Sequence, residues 1–186
     1  MIVLGRYCFA IILIISSCKS VDLLNLSNLS SVKVPKDNSF YKEYDEKLNV
    51  QLPSNIDLTS LYEYAYQIDY KNKKFFNTRK NNKSAFKFYK KGRVNLFYYD
   101  ENKKNNFDSN KYGYRGICYK EKNNFKLLFI APITENRKYG VQNYKMEMKG
   151  DTLLISLIKK HLTENQIFTD IYIKKDMDSP VNQIDW

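Results

Sequence analysis

In LYEYAYQIDY (residues 61–70) an aromatic or β-branched side chain falls on every second position, Tyr62, Tyr64, Tyr66, Ile68 and Tyr70. Leu61, Glu63, Ala65, Gln67 and Asp69 take the intervening places. Period-two alternation is the signature of a strand with two unlike faces, and Tyr and Ile suit a pleated surface. A helical spacing also exists (Leu58, Leu61, Ala65, Ile68), but it leaves the tyrosines unexplained, so the strand is expected.

The same period recurs to the end of the chain. Phe86 and Phe88 alternate, Lys90-Lys91-Gly92-Arg93 supplies a glycine-containing turn, and Val94, Leu96 and Tyr98 resume beyond it, a hairpin signal. After a polar loop from Asp100 to Asn110, Tyr112, Tyr114, Gly116 and Cys118 share one face. Gly116 marks a bulge or a close backbone approach there. Residues 125–131 are apolar on both faces and end at Pro132. Tyr144, Met146 and Met148 alternate in the next strand, Lys149-Gly150-Asp151 turns the chain into 152–159, and Ile167, Ile171 and Ile173 alternate in the last.

About eight strands joined mostly by short turns must run antiparallel, so an all-β meander is expected. Eight such strands can close into a barrel and lose their edges, with an open β-sandwich as the alternative. The strand–turn cadence over residues 55–176, with FKFYKKGRV near its start and MEMKGDTLLISL near its end, resembles the small lipocalin-like domains of bacterial lipoproteins. The Gly-x-Trp signature that opens true lipocalins is absent. The resemblance implies a lipocalin-like barrel and a small hydrophobic ligand in its interior.

The N-terminus gives an address. Arg6 precedes an uncharged run of nine residues from Tyr7 to Ile15. A membrane-spanning helix needs about 20, so a removable export signal fits better. Ile15, Ser16, Ser17 and Cys18 then match, position by position, the lipobox of bacterial lipoproteins, which they resemble: an aliphatic residue, two small ones and a cysteine. The resemblance implies that residues 1–17 are a signal peptide and that Cys18 carries the lipid and begins the mature chain. A thiolate is the nucleophile such a transfer needs, and more than one acyl chain gives stable anchoring. Lys19 after Cys18 leans, by common sorting patterns, toward the outer membrane. Residues 18–54 read as a polar tether, which would span roughly 30 Å if wholly flexible. Phe40, Tyr44 and Leu48 within it keep the spacing of a short helix. Residues 177–186 form a polar tail.

Composition removes several classes of function. A net charge of +11 invites nucleic acid, but the lysines are scattered among Asn, Ile and Tyr and alternate with apolar residues in the strands. They read as solvated faces, and no nucleic-acid partner is expected. Once Cys8 leaves with the signal and Cys18 is acylated, Cys118 has no partner for a disulfide, and a buried small hydrophobe is its expected role. The single histidine, His161, sits in KKHLTEN with Glu164 as its one nearby carboxylate, too few ligands for a metal. The pairs Asp176/Asp178 and Asp45/Glu46 lie in polar linkers, and no glycine-rich phosphate loop occurs. No cofactor, metal or catalytic constellation is expected, and hence no enzyme.

The tyrosines hold the remaining interest. Tyr62, Tyr64, Tyr66, Tyr112 and Tyr114 are candidates to line a ligand site, presenting apolar faces and hydroxyls. Ordinary core packing is the competing use, because small barrels fill with their own side chains. An exposed tyrosine face binding another envelope protein is the third. For the best-defined residue, Cys18→Ser is expected to abolish incorporation of labelled fatty acid and to leave an unprocessed precursor on a gel; normal labelling would refute lipidation.

Overall fold

The computed structural model describes residues 23–25, 33–35, 39–70, 72–76, 82–100, 107–110, 112–132, 139–158 and 168–177. Its elements are β1 (Leu23–Asn25), β2 (Lys33–Pro35), α1 (Ser39–Lys47), β3 (Asn49–Val50), β4 (Leu61–Asp69), β5 (Lys74–Phe76) and β6 (Asn82–Phe88). A 3₁₀ turn (Lys90–Gly92) leads to β7 (Arg93–Asp100), β8 (Tyr114–Glu121), β9 (Asn124–Pro132), β10 (Tyr139–Lys149), β11 (Thr152–Leu157) and β12 (Phe168–Lys175).

Strands β4 and β6 to β12 pair antiparallel in chain order, and β12 returns to pair with β4, closing an eight-stranded barrel. The short β5 extends the far end of β4, and β3 adds to the end of β8 beyond its pairing with β7. β1 and β2 form a separate two-stranded hairpin. The stretch read from sequence as a tether therefore holds this hairpin and α1.

Alternation fixes which side chains enter the barrel. Tyr62, Tyr64, Phe86, Phe88, Val94, Leu96, Cys118, Leu127, Phe129, Met146, Leu153, Ile155 and Tyr172 form one buried cluster, with contributions from all eight barrel strands. Phe86 sits at its centre, 4.7 Å from the Tyr172 ring and 5.7 Å from Phe129. Tilted and edge-on rings suit the aromatic quadrupole, and each buries a large apolar area. Gly116 makes room for this packing. A Cβ there would lie 2.5 Å from both the Phe129 ring and the Leu128 carbonyl, so the glycine serves a close approach.

The outer face is covered on one side. Tyr41, Ile117, Tyr119, Leu128 and Ile130 form a second buried cluster, joined by Tyr44, Leu48 and Val50. Leu127 to Ile130 of β9 are thus buried on both faces, by the lumen and by α1 with its following residues, which accounts for the apolar run there. The Tyr41 hydroxyl donates to the Arg115 carbonyl at 3.1 Å, and the Arg93 guanidinium forks onto the Asp45 carboxylate, one N–H···O of it at 2.6 Å. Arg93 also lies 5.7 Å from the Tyr41 ring centre. A planar fork meeting a carboxylate is a geometrically specific pairing, and it fixes the helix in register on the wall.

Gly116→Ala is expected to destabilise the barrel by about 1–3 kcal/mol, the usual cost of overpacking. Urea denaturation reads this directly. An unchanged midpoint would mean that Phe129 and Leu128 can retreat.

Candidate functional site

The barrel has two unlike ends. At the turn end β6–β7, β8–β9 and β10–β11 reverse tightly, with left-handed backbone at Lys91, Gly92, Lys122 and Gly150. At the loop end the longer connections emerge. The segment 51–60 crosses the turn end, where Leu52, Ile56 and Leu58 pack against the lumen cluster. That segment is bolted down by polar groups. The Asp57 N–H donates to the Tyr62 hydroxyl at 2.9 Å, and the Asp57 carboxylate accepts from the Thr59 N–H and hydroxyl at 2.8 and 2.6 Å. It also accepts from the Ser60 hydroxyl at 3.0 Å. The Thr59 hydroxyl and N–H, then Ser60 and the Lys174 ammonium, hold the Asp57 carboxyl down at about 2 against a smaller opposing effect of burial.

Lys87 is the less expected bolt. In sequence it alternates with Phe86 and Phe88 and reads as solvent-facing, yet it is fully buried. Its ammonium donates to the Leu58 carbonyl at 2.5 Å and the Ser60 carbonyl at 3.1 Å. Burial pulls its pKa down to about 8, with the Asp57 charge opposing.

Between this segment and the β8–β9 and β10 walls lies a cleft of about 730 Å³. Leu52, Phe125, Met146 and Met148 give it an apolar floor, and Asn55, Asn123, Asn124, Lys120, Lys145 and Glu147 a polar rim. The Lys120 ammonium rides 5.9 Å from the Phe125 ring centre. Thioethers beside an aromatic ring make an adaptable apolar surface, and planar amides around it can donate and accept. Such an arrangement can bind and orient a small molecule. Among the described residues no cluster of three or more His, Cys, Asp or Glu is placed to hold a metal.

The candidate tyrosines part company. Tyr62 and Tyr64 are buried in the lumen cluster, Tyr64 edge-on to Tyr172 at 5.6 Å, and Tyr114 packs against the cluster from the loop end. Tyr66 lies on the other face of β4. Ile171 pairs with Tyr66 but Tyr172 pairs with Tyr64, so Ala65 is an extra residue, a bulge that reverses the alternation beyond it. Gln67 consequently shares a face with Asp170, to which it donates at 2.7 Å, while Tyr66 meets Phe75 edge-on at 5.8 Å. The same register puts Tyr172 inside and leaves Ile173, expected on an apolar face, half exposed. Tyr112 precedes β8 across the left-handed Gly113, where its carbonyl accepts from the Asn95 amide at 2.8 Å. Cys18 and His161 lie outside the described residues.

Cys118 is fully buried, its thiol 3.9 Å from the Met146 sulfur, and burial pushes it up to about 12. A thiol so protonated is a poor nucleophile. The cleft residues themselves escaped notice in the sequence. Leu52, Ile56 and Leu58, interrupted by Pro53 and Ser54, are too few to mark a strand or a helix, so nothing marked 51–60 as a lid over the lumen. Comparison with protein-family models, with curated proteins and with solved structures gave no match.

Lys87→Met is expected to lower stability by about 1–3 kcal/mol, because it strips a donor from two carbonyls at a buried site. The pH dependence has a definite sign. The folded pKa lies below the unfolded one, so the unfolded chain holds more protons between about 8 and 10.5. The wild type should therefore gain stability relative to Lys87→Met as pH rises from 8 toward 9.5. Parallel urea midpoints across that range would show that Lys87 titrates as if exposed.

Proposed function

We propose that this chain is an exported, lipid-anchored envelope protein whose barrel is a non-catalytic binding module. It holds a small ligand with an apolar or aromatic body in the cleft at the turn end. The observation that carries the reading is the cleft itself. Its volume of about 730 Å³ falls within the range of small-molecule sites, roughly 300–1,000 Å³, and beneath a predominantly polar rim it presents the apolar side chains of Leu52, Phe125, Met146 and Met148. The match of Ile15, Ser16, Ser17 and Cys18 to a lipobox supports the anchor.

The lumen tyrosines serve this function indirectly. Tyr62 braces the segment 51–60 through its hydroxyl, and the aromatic core below keeps the floor rigid. Preorganisation of that kind lowers the ordering cost of binding.

Native mass spectrometry of protein extracted from membranes tests the proposal. A bound small molecule, or retention of added 1-naphthol, is expected for the wild type. Both should weaken strongly in Asn55→Trp, where an indole at the rim obstructs the cleft, with the thermal midpoint unchanged. A wild type that carries neither would refute the binding function, and retention undiminished in Asn55→Trp would place the site elsewhere.

A further inference from the structure

Large apolar side chains that stay exposed are not spread evenly over this barrel. Of the eight found among the described residues, Ile173 alone sits toward the turn end. Tyr70, Phe75, Val141, Leu157, Ile158 and Phe168 follow one another around the loop end, on the adjacent strands β5, β4, β12, β11 and β10, and Tyr98 stands across from them on β7. Phe75 is 70% exposed and Tyr70 53%. The six lie on or just beyond neighbouring strands, about 4.8 Å apart, and so form an arc around one end of the barrel, some on the outer face and some at the mouth. An apolar patch gathered at one end of a small protein marks a contact with a partner or a lipid surface.

Two further observations select the lipid surface. The first is the course of α1. Tyr41 bonds at the level of Arg115, near the loop-end start of β8; Asp45 pairs with Arg93; and Val50, just past the helix, pairs with Tyr119 near the turn end. The helix thus runs from the loop end to the turn end, and its first residue, Ser39, the end nearer Cys18 in sequence, lies at the same end as the arc. The second is charge. Lys73 and Lys74 are exposed directly beside Phe75. Ammonium groups flanking an exposed aromatic ring suit an anionic headgroup layer.

We propose that the loop-end arc is a membrane-contact surface. The barrel rests on this end against the leaflet that holds its lipid anchor, with β5 as the deepest point, and the cleft at the turn end faces away from the bilayer. The inference rests on Cys18 being acylated. The leash then supplies a high local concentration of bilayer, and the arc gives the second signal that turns tethering into a fixed orientation.

Spin labels read the orientation. The processed protein offers a clean background, because Cys8 is removed with the signal, Cys18 is a thioether and Cys118 is buried. Acylated Phe75→Cys, Phe168→Cys and Asn123→Cys proteins are labelled and reconstituted on vesicles of phosphatidylethanolamine and phosphatidylglycerol. Labels at 75 and 168 should be relaxed preferentially by oxygen, which partitions into lipid, and the label at 123 by a water-soluble nickel chelate. Lys73→Glu with Lys74→Glu should return position 168 to the water-soluble reagent. Water access at all three positions overturns the proposal, as do spin–spin broadening between copies at position 75 or crosslinking of that site to another protein. Fatty-acid labelling of the same preparations reports the anchor alone. An acylated protein with water-exposed labels refutes the contact and spares the anchor, whereas an unacylated one refutes both.

Discussion

The pairing of β12 with β4 is the constraint on which the rest depends. It joins the two ends of the meander, so that Glu63 and Lys175, 112 positions apart in sequence, come within 3.1 Å. Without it the strands would form an open sheet with two unprotected edges and half a core. With it, every barrel strand has a neighbour on each side, and inward side chains from all eight meet. The seam also carries the Ala65 bulge. That single extra residue decides that Tyr62 and Tyr64 point inward and Tyr66 outward.

Closure at eight strands leaves an interior about wide enough for side chains to fill. Aromatic rings fill it here, and Gly116 yields its own side-chain volume to Phe129. The packed lumen leaves no room for a ligand among these side chains. The two ends are built from opposite chemistry. The turn end is sealed by 51–60, held through Asp57, Tyr62 and the buried Lys87, and keeps a polar-rimmed cleft. The loop end carries the exposed apolar residues and the start of α1. One side of the wall is occupied by α1, which turns the outer face of β8 and β9 into a second core.

Much of the fold was legible because alternation is a local property. The hairpin around Lys90–Gly92, the paired methionines of β10 and the tight turn at Gly150 follow from period and turn residues alone. The close approach at Gly116 was one of two options the residue type allowed. The short helix had its signal in Tyr44 and Leu48. The site was less legible for two reasons. A bulge inverts the face of every later residue without changing the composition of the strand. The segment 51–60 packs by shape and hydrogen bonds, and its three apolar residues are too few to announce it. Lys87 shows the same limit: a lysine between two phenylalanines reads as exposed until another part of the chain is seen to cover it.

The sequence by itself determined an antiparallel all-β domain and the motif at Cys18, because both depend on residues next to one another in the chain. Only the tertiary structure decided that the barrel closes, that β4 changes face at Ala65, that Lys87 is buried and that apolar exposure gathers at one end. Each of these depends on which distant segment comes to lie against which. That choice is set by the summed burial and register of the whole sheet, and no single stretch of sequence contains it.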